Sequence, residues 1–444
     1  MIYDPATASG DDFKERAGRI QNAIPQGGLF SEKAWRISPE PFPLTKKEVK
    51  ALERLGPLLL KFQQACDMIY RRSRKGTLPG WISKYLDDGK PEALLELGLS
   101  PSVLDKTPRV IRPDLILTEE GFTATELDSV PGGIGLTAWL GEVYSEVNPH
   151  HDLVGGAEGM VSGFGSIFPS GEGDILISKE SSDYRPEMEW ITEKLQGDWS
   201  VRDAESYEPS DRDVYRFFEL FDLPNIPGGQ AVGKAAAEGT LELTSPFKPW
   251  LEEKLWSALF WSHPLKEVWR RELRDGNWRR LQKLFPMSWI VDPAEVPHHA
   301  VIPELGISHF SEMKEFSQTE RDLVMKLSGF NEKAWGSRSV TIGQDVSQVD
   351  WADAVDTALG AFGESPYVLQ RFHSGKLVTH PWLNPETGDV ELMEGRVRLC
   401  PYYFVDASDQ QVQLGGVLAT ICPSDKKILH GMSDAIMVPC RVAD

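Results

Sequence analysis

The stretch VIRPDLILT-EEG-FTATELDSVPGGIG, residues 110–135, constrains this chain more than any other. Two β-type runs flank a three-residue turn ending in Gly121, a residue free to take the left-handed conformation, which predicts a tight hairpin centred on Glu120. Pairing about that centre sets Arg112 opposite Asp128 and Asp114 opposite Glu126. Alternate residues of a strand share a face, so all four side chains are expected to point the same way. Three carboxylates beside one arginine are costly to bring together unless cations fill the space between them. Hard oxygen ligands in this arrangement suit Mg²⁺, which keeps a few carboxylates and completes its shell with water and phosphate. An exposed hairpin whose charges are simply solvated accounts for the spacing equally well.

A chain of 444 residues is long enough for two or three packed units with a large core. Its 47 Lys and Arg against 67 Asp and Glu give a net charge of −20, which argues against nucleic acid as the main partner, because phosphate backbones need concentrated positive charge. Cys66, Cys400, Cys422 and Cys440 form no CxxC pair and read as buried thiols in a reducing compartment. No apolar run approaches membrane-spanning length, and MIYDPATASGDD lacks the basic start and apolar stretch of a signal peptide. A cytoplasmic protein with no membrane partner is the expectation.

Along the chain, KKEVKALERLGPLLLKFQQACDMIYRRS (46–73) has helical apolar spacing interrupted near Pro57. PEALLELGL and LTAWLGEVYSEV are further predicted helices. GDILISKESSDYRPEMEWITEKLQ (173–196) reads as strand then helix, an α/β unit. The tryptophan-rich stretch 246–273 is predicted helical, its indoles core or interface anchors. From about 321 the pattern turns β-rich, and boundaries are expected near 150 and 310. The pairs His150-His151 and His298-His299 follow proline-containing loops without a partner at i+4, and are expected to be solvated loop histidines.

RDLVMKLSGFNEKAWGSRSV (321–340) delivers Lys326 at the end of an apolar strand, followed by a loop with Gly329, Gly336, Ser337 and Ser339. A compact ammonium beside a glycine-rich loop suits polyphosphate; a surface lysine before an ordinary hairpin has the same look. SPYVLQRF runs into Gln370 and Arg371, where a strand end can face an adenine edge. MEGRVRLCPYYFV puts Arg396 and Arg398 on one strand face.

Taken in order, these pieces resemble the circularly permuted ATP-grasp ligases of the glutathionylspermidine synthase type. That family carries Arg-x-Asp and, after a short hairpin, Glu-x-Asn, then a segment similar to WRR…LQKLFPMSWIVDPA. VMKLSGFNEKAWGSRSV is similar to its lysine and phosphate loop, SPYVLQRF to its Y-x-x-Q-E hinge strand, and LGGVLATICPSDKKILHGMSDAIMVPC to its closing strand and C-terminal loop. The resemblance covers roughly residues 105–440, with the middle weakly matched.

It implies an α+β and α/β fold: a helical segment (1–105), an acidic metal-binding hairpin (106–150), a pre-ATP-grasp-like α/β domain with tryptophan-rich helices (151–310) and a nucleotide-binding lobe (311–444). It further implies Asp114, Glu126 and Asp128 as Mg²⁺ ligands and Arg112 as the group that stabilises the transferring phosphoryl charge. Lys326, with Ser328, Gly329, Gly336 and Ser337 of the loop, would hold ATP phosphates, and Leu369, Gln370 and Arg371 would border the adenine. Four departures stand out. Asp128 replaces asparagine, Gln370-Arg371 replaces Gln-Glu, Ala419-Thr420 replaces Arg-Glu, and an asparagine-lysine pair upstream of the FP segment has no counterpart.

The implied reaction joins a small-molecule carboxylate to an amine through an acyl phosphate, with ATP and Mg²⁺ as cofactors. The glycine-rich turn Pro131–Gly135, at a helix start, would offer N–H donors to the acyl carboxylate or the phosphoryl group. Replacing Asp114 by asparagine is expected to remove Mg-dependent turnover and leave the fold intact. A phosphotransferase using the same ATP site and a non-catalytic nucleotide-binding protein are the alternatives.

Overall fold

In the computed structural model, which describes residues 10–297, 300–334, 339–429 and 434–443, the acidic hairpin pairs Val110–Thr118 with Gly121–Asp128. Arg112 lies opposite Asp128 and Asp114 opposite Glu126, as the spacing requires. The turn itself differs. Thr118 pairs with Gly121, so only Glu119 and Glu120 lie outside the ladder, and Gly121 takes a φ of 129°. A bulge then shifts the register between Asp114 and Leu115. Leu115 faces Ala124, leaving Thr125 as the extra residue, and its hydroxyl donates to the Asp114 carbonyl at 3.2 Å. The bulge restores the pairing that a two-residue turn alone would have shifted by one position.

The described chain forms two units, one built of the residues through Leu60, Ser100–Pro246 and those from Ser374 onward, the other of Lys61–Leu99 and Phe247–His373. Each draws on stretches far apart in sequence.

In the first unit a seven-stranded sheet runs in the order Phe42–Leu44, Ile436–Val442, Val412–Pro423, Val390–Val405, Val110–Thr118, Gly121–Asp128, with Leu377–Leu383 also paired to Val390–Val405. Val390–Val405 is central because its second half, Leu399–Val405, is buried throughout; a strand covered on both faces has no polar alternation. The helix Ile134–Val147 is likewise buried at ten of its residues. A second sheet, all parallel, is ordered Trp199–Asp203, Gly173–Ile177, Val214–Phe217, Leu243–Thr244; Gly173–Ile177 and the helix Arg185–Thr192 realise the predicted α/β unit. The helix Lys46–Arg74 runs unbroken through Pro57, where an interruption was expected. The neighbouring Leu52 carbonyl accepts the Tyr403 hydroxyl at 2.7 Å, and Gly56 leaves room for that ring, since a Cβ there would lie 2.5 Å from Tyr403. Tertiary packing overrides the local cost of the proline.

His380 is buried in this unit, its Nε2 3.1 Å from Ser38 Oγ and 3.0 Å from the Glu40 carbonyl. Burial holds its pKa down at about 4 against an ordinary 6.5. The unfolded chain therefore takes up the proton first, and the stability due to neutral His380 is present above pH 6.5 and lost as pH falls towards 4. At ~1.4 kcal/mol per tenfold change in proton affinity the full loss is about 3 kcal/mol. Urea unfolding should show the stability difference between wild type and His380→Gln shrinking by about that amount between pH 7.5 and 4; a difference independent of pH would contradict it.

The second unit holds an antiparallel sheet ordered Val340–Ile342, Leu323–Leu327, Tyr367–Arg371, Ser288–Ile290. Its core gathers Trp289, Met325, Trp351, Val355 and Leu369. The tryptophan-rich stretch forms two helices, Leu255–Trp261 and Lys266–Leu273, rather than one, because Pro264 cannot continue the first. Trp250, Trp256 and Trp269 are buried, as core anchors should be. The four cysteines are buried free thiols, and no helix among the described residues is long and apolar enough to cross a membrane.

Candidate functional site

The first unit brings the hairpin's charged residues together. Arg112 lies 3.0 Å from Asp114 through Nε and 3.1 Å from Asp128 through Nη2, and Nη1 donates to the Gly132 carbonyl at 3.0 Å. A second arginine, Arg398, donates to the other oxygen of Asp114 at 3.0 Å. It arrives from the strand Val390–Val405, where it is paired with Ile116. Burial would raise the Asp114 carboxyl, but Arg112 and then Arg398 hold it below the usual carboxylate range. Asp114 is 7% exposed and has both oxygens engaged by guanidinium groups, with Cys400 Sγ at 3.5 Å. The charge that spacing alone left uncompensated is thus half met by an arginine 284 residues away.

Glu126 is exposed. Asp128, 30% exposed at its side chain, has its carboxyl raised by burial; Arg112 pulls it down and Glu126 pushes it up again. Its second oxygen accepts the Val130 N–H at 2.8 Å. Among the described residues no group of three or more carboxylates, histidines or cysteines is placed to hold a metal ion. A pair of carboxylates on one strand face remains, Glu126 and Asp128, which is the number Mg²⁺ takes from protein when phosphates supply the rest.

The glycine-rich turn departs from expectation. Its donors are taken by Glu187 of the helix Arg185–Thr192, which accepts the Gly133 N–H at 2.7 Å and the Leu136 N–H at 2.9 Å. Glu187 is fully buried, and burial pushes its carboxyl up to about 7 against the pull of those N–H groups. The turn is closed to substitution as well: a Cβ on Gly135 would meet the Glu187 carbonyl at 1.9 Å. A carboxylate of the protein's own occupies the helix start that was expected to receive the substrate's.

The second unit places Lys326 opposite Val368 in the sheet, with Nζ 3.0 Å from the Gln370 Oε1 on the diagonal position. Gln370 is buried and donates to Ser288 Oγ at 3.3 Å. Leu369 and Gln370 lie on an interior strand paired on both sides, so their backbone groups are committed to ladders; the Leu369 side chain belongs to the core. Arg371 donates to the Glu304 carbonyl at 3.2 Å and lies 5.8 Å from the Trp289 ring. Ser328 and Gly329 turn out of the strand towards Glu253. Gly336 and Ser337 lie outside the described residues, as do His298 and His299. Of the other pair, His150 is exposed as expected, whereas His151 is drawn in, 3.5 Å from Glu40.

Two participants carry no local signal: Glu187 sits in an ordinary helix, and Glu253 is an extended residue after a short helical turn. Only Arg398 was singled out by its spacing from Arg396, and the two diverge, Arg396 donating to the backbone carbonyls of Gly375 and Ser424.

Compared with known structures, the chain has the fold of a glutathione synthetase-like effector from Globodera pallida solved in its apo form, with a TM-score of 0.55 at 9% identity over 100% of both chains. A gamma-glutamylcysteine synthetase-like protein from Methylobacillus flagellatus aligns more loosely, with a TM-score of 0.37 at 10% identity over 89% of each chain. No family model matches the sequence, and no curated protein matches it. The class is therefore set by fold: a mixed α/β chain of glutathione synthetase-like architecture.

Proposed function

We propose that the protein is an ATP-dependent ligase of the circularly permuted ATP-grasp type, joining a small-molecule carboxylate to an amine. The observation that carries this reading is the cluster of Arg112, Asp114, Asp128 and Arg398 in a chain whose fold is that of a glutathione synthetase-like effector. The permuted order has support in the pairing of the early hairpin with the late strand Val390–Val405.

In this reading a carboxylate oxygen of the acid attacks the γ-phosphorus of ATP and ADP leaves. The amine then attacks the acyl carbon, phosphate departs, and the nitrogen gives up a proton to leave an amide. Such chemistry needs positioning and neutral surroundings for developing charge more than a protein nucleophile. Arg112, held in a fixed orientation by three partners, carries the charge of the transferring phosphoryl group. Asp114 orients Arg112 and Arg398. Lys326, oriented by Gln370, holds the nucleotide's phosphates, and Leu369–Arg371 border its base. Glu126 and Asp128 would hold Mg²⁺, which when bound shields the polyphosphate charge.

Incubation with Mg-ATP and pooled amino acids, short peptides and polyamines tests the reading: ADP and free phosphate should form in step with an amide. A phosphorylated acceptor without free phosphate would instead make the protein a phosphotransferase. Lys326→Ala should weaken ATP binding about tenfold to a hundredfold, the loss of one hydrogen bond to a charged group, with little change in melting temperature.

A further inference from the structure

Glu253 gathers three donors in the second unit while almost fully shielded from water. It lies 2.5 Å from the Lys90 ammonium, each side chain 2% exposed. Its other oxygen accepts the Ser328 hydroxyl and the Gly329 N–H, the latter at 2.8 Å. Ser328 Oγ accepts the Leu255 N–H in turn, at 3.0 Å. The same short segment reaches further along the loop, where Lys254 Nζ donates to the Ala334 carbonyl at 3.2 Å. Phe330, whose φ of 22° is unusual for a residue with a side chain, places its ring 5.6 Å from the Lys90 ammonium. A Cβ on Gly329 would lie 2.8 Å from Glu253 Oε1, so glycine is what allows the carboxylate this close. The residues that follow Lys326 are thus pinned at 328, 329, 330 and 334.

A buried ion pair is a poor device for stability, since an apolar pair of similar volume often serves as well or better. What charge and directed hydrogen bonds add is geometry. We propose that Glu253, with Lys90 as its counter-ion, is a positioning residue for the phosphate loop. It fixes Ser328 and Gly329, and through them the end of the strand that presents Lys326 to a nucleoside polyphosphate. Ser328 and Gly329 then act as anchors whose donors are spent on Glu253, and recognition of the phosphates falls to Lys326. This rests on the nucleotide-binding reading above.

The test compares ATP with AMP, which lacks the phosphates the loop would meet. Both are titrated calorimetrically with Mg²⁺ into wild type, the double variant Lys90→Met/Glu253→Gln and the conservative Glu253→Asp, with melting curves alongside. The double variant removes both buried charges together and should still melt cooperatively. Its ATP dissociation constant should rise about tenfold to a hundredfold, the scale of losing one hydrogen bond to a charged group, while AMP affinity stays as in wild type. Glu253→Asp keeps the charge pair and should recover part of the loss. Should the double variant fail to fold, Glu253→Asp carries the same comparison: weaker ATP with unchanged AMP supports the proposal. Unchanged ATP affinity, or equal losses for ATP and AMP, overturns it. A folded wild type that binds no ATP would overturn the nucleotide reading itself, which is a distinct result.

Discussion

Replacing Arg112 by methionine should lower ATP-dependent turnover by about 10³-fold or more, the scale seen when a phosphoryl-stabilising arginine is lost. It should also destabilise the fold by about 3–5 kcal/mol, because Asp114 and Asp128 lose the guanidinium between them. The two effects separate in Arg112→Lys. Lysine restores a charge but cannot lie against Asp114 while donating to Asp128 and the Gly132 carbonyl as the planar guanidinium does. The lysine variant should regain much of the stability in urea unfolding and little of the turnover in an ADP-release assay. A lysine variant with wild-type turnover would remove Arg112 from the chemistry.

The second large effect is structural. Asp67 lies 3.1 Å from Lys248 and 3.0 Å from Arg71, and accepts the Trp250 indole N–H at 3.0 Å. The Lys248 side chain is wholly buried, and Trp250 stacks on Tyr70 with ring centres 4.1 Å apart. Asp67→Asn removes the carboxylate from this buried ammonium and should cost about 3–5 kcal/mol. Lys248→Met on the same background should return a large part of it, since the buried ammonium that Asp67 faced is then gone. Denaturant unfolding of the two single variants and the double closes the cycle. Additive losses would show that the pair is not coupled.

Asp114→Asn should also destabilise the fold. The family resemblance implies Asp114 as a metal ligand whose loss spares the fold. With Arg112 and Arg398 on its two oxygens, an amide there leaves two guanidinium groups short of charge, and the same unfolding assay should register it.

What was legible in the sequence was local and periodic. Strand alternation placed Arg112, Asp114, Glu126 and Asp128 in the register observed, because side-chain direction in a hairpin follows from counting by two. The bulge at Thr125 was not legible: the two-residue turn and the bulge compensate, so the paired residues look the same either way. The partners that give the charges their meaning were hidden for another reason. Arg398, Glu187 and Glu253 reach their targets through pairing and packing over long sequence separations, 284 residues for Arg398 to Asp114, and nothing in their own neighbourhoods points to those targets. The glycine-rich turn shows the consequence. Its N–H groups at a helix start suit an anion, and the anion they meet comes from a helix some fifty residues on, at Glu187. The same holds for the units, whose limits at Leu60, Leu99, Pro246 and His373 follow from which distant strands pair rather than from shifts in composition.

Calorimetric titration of ATP into the wild-type protein, with and without Mg²⁺ and beside Lys326→Ala, tests the central claim most directly. Mg-dependent binding that weakens at least tenfold in the variant is the predicted result. A well-folded wild type that takes up no ATP would contradict it.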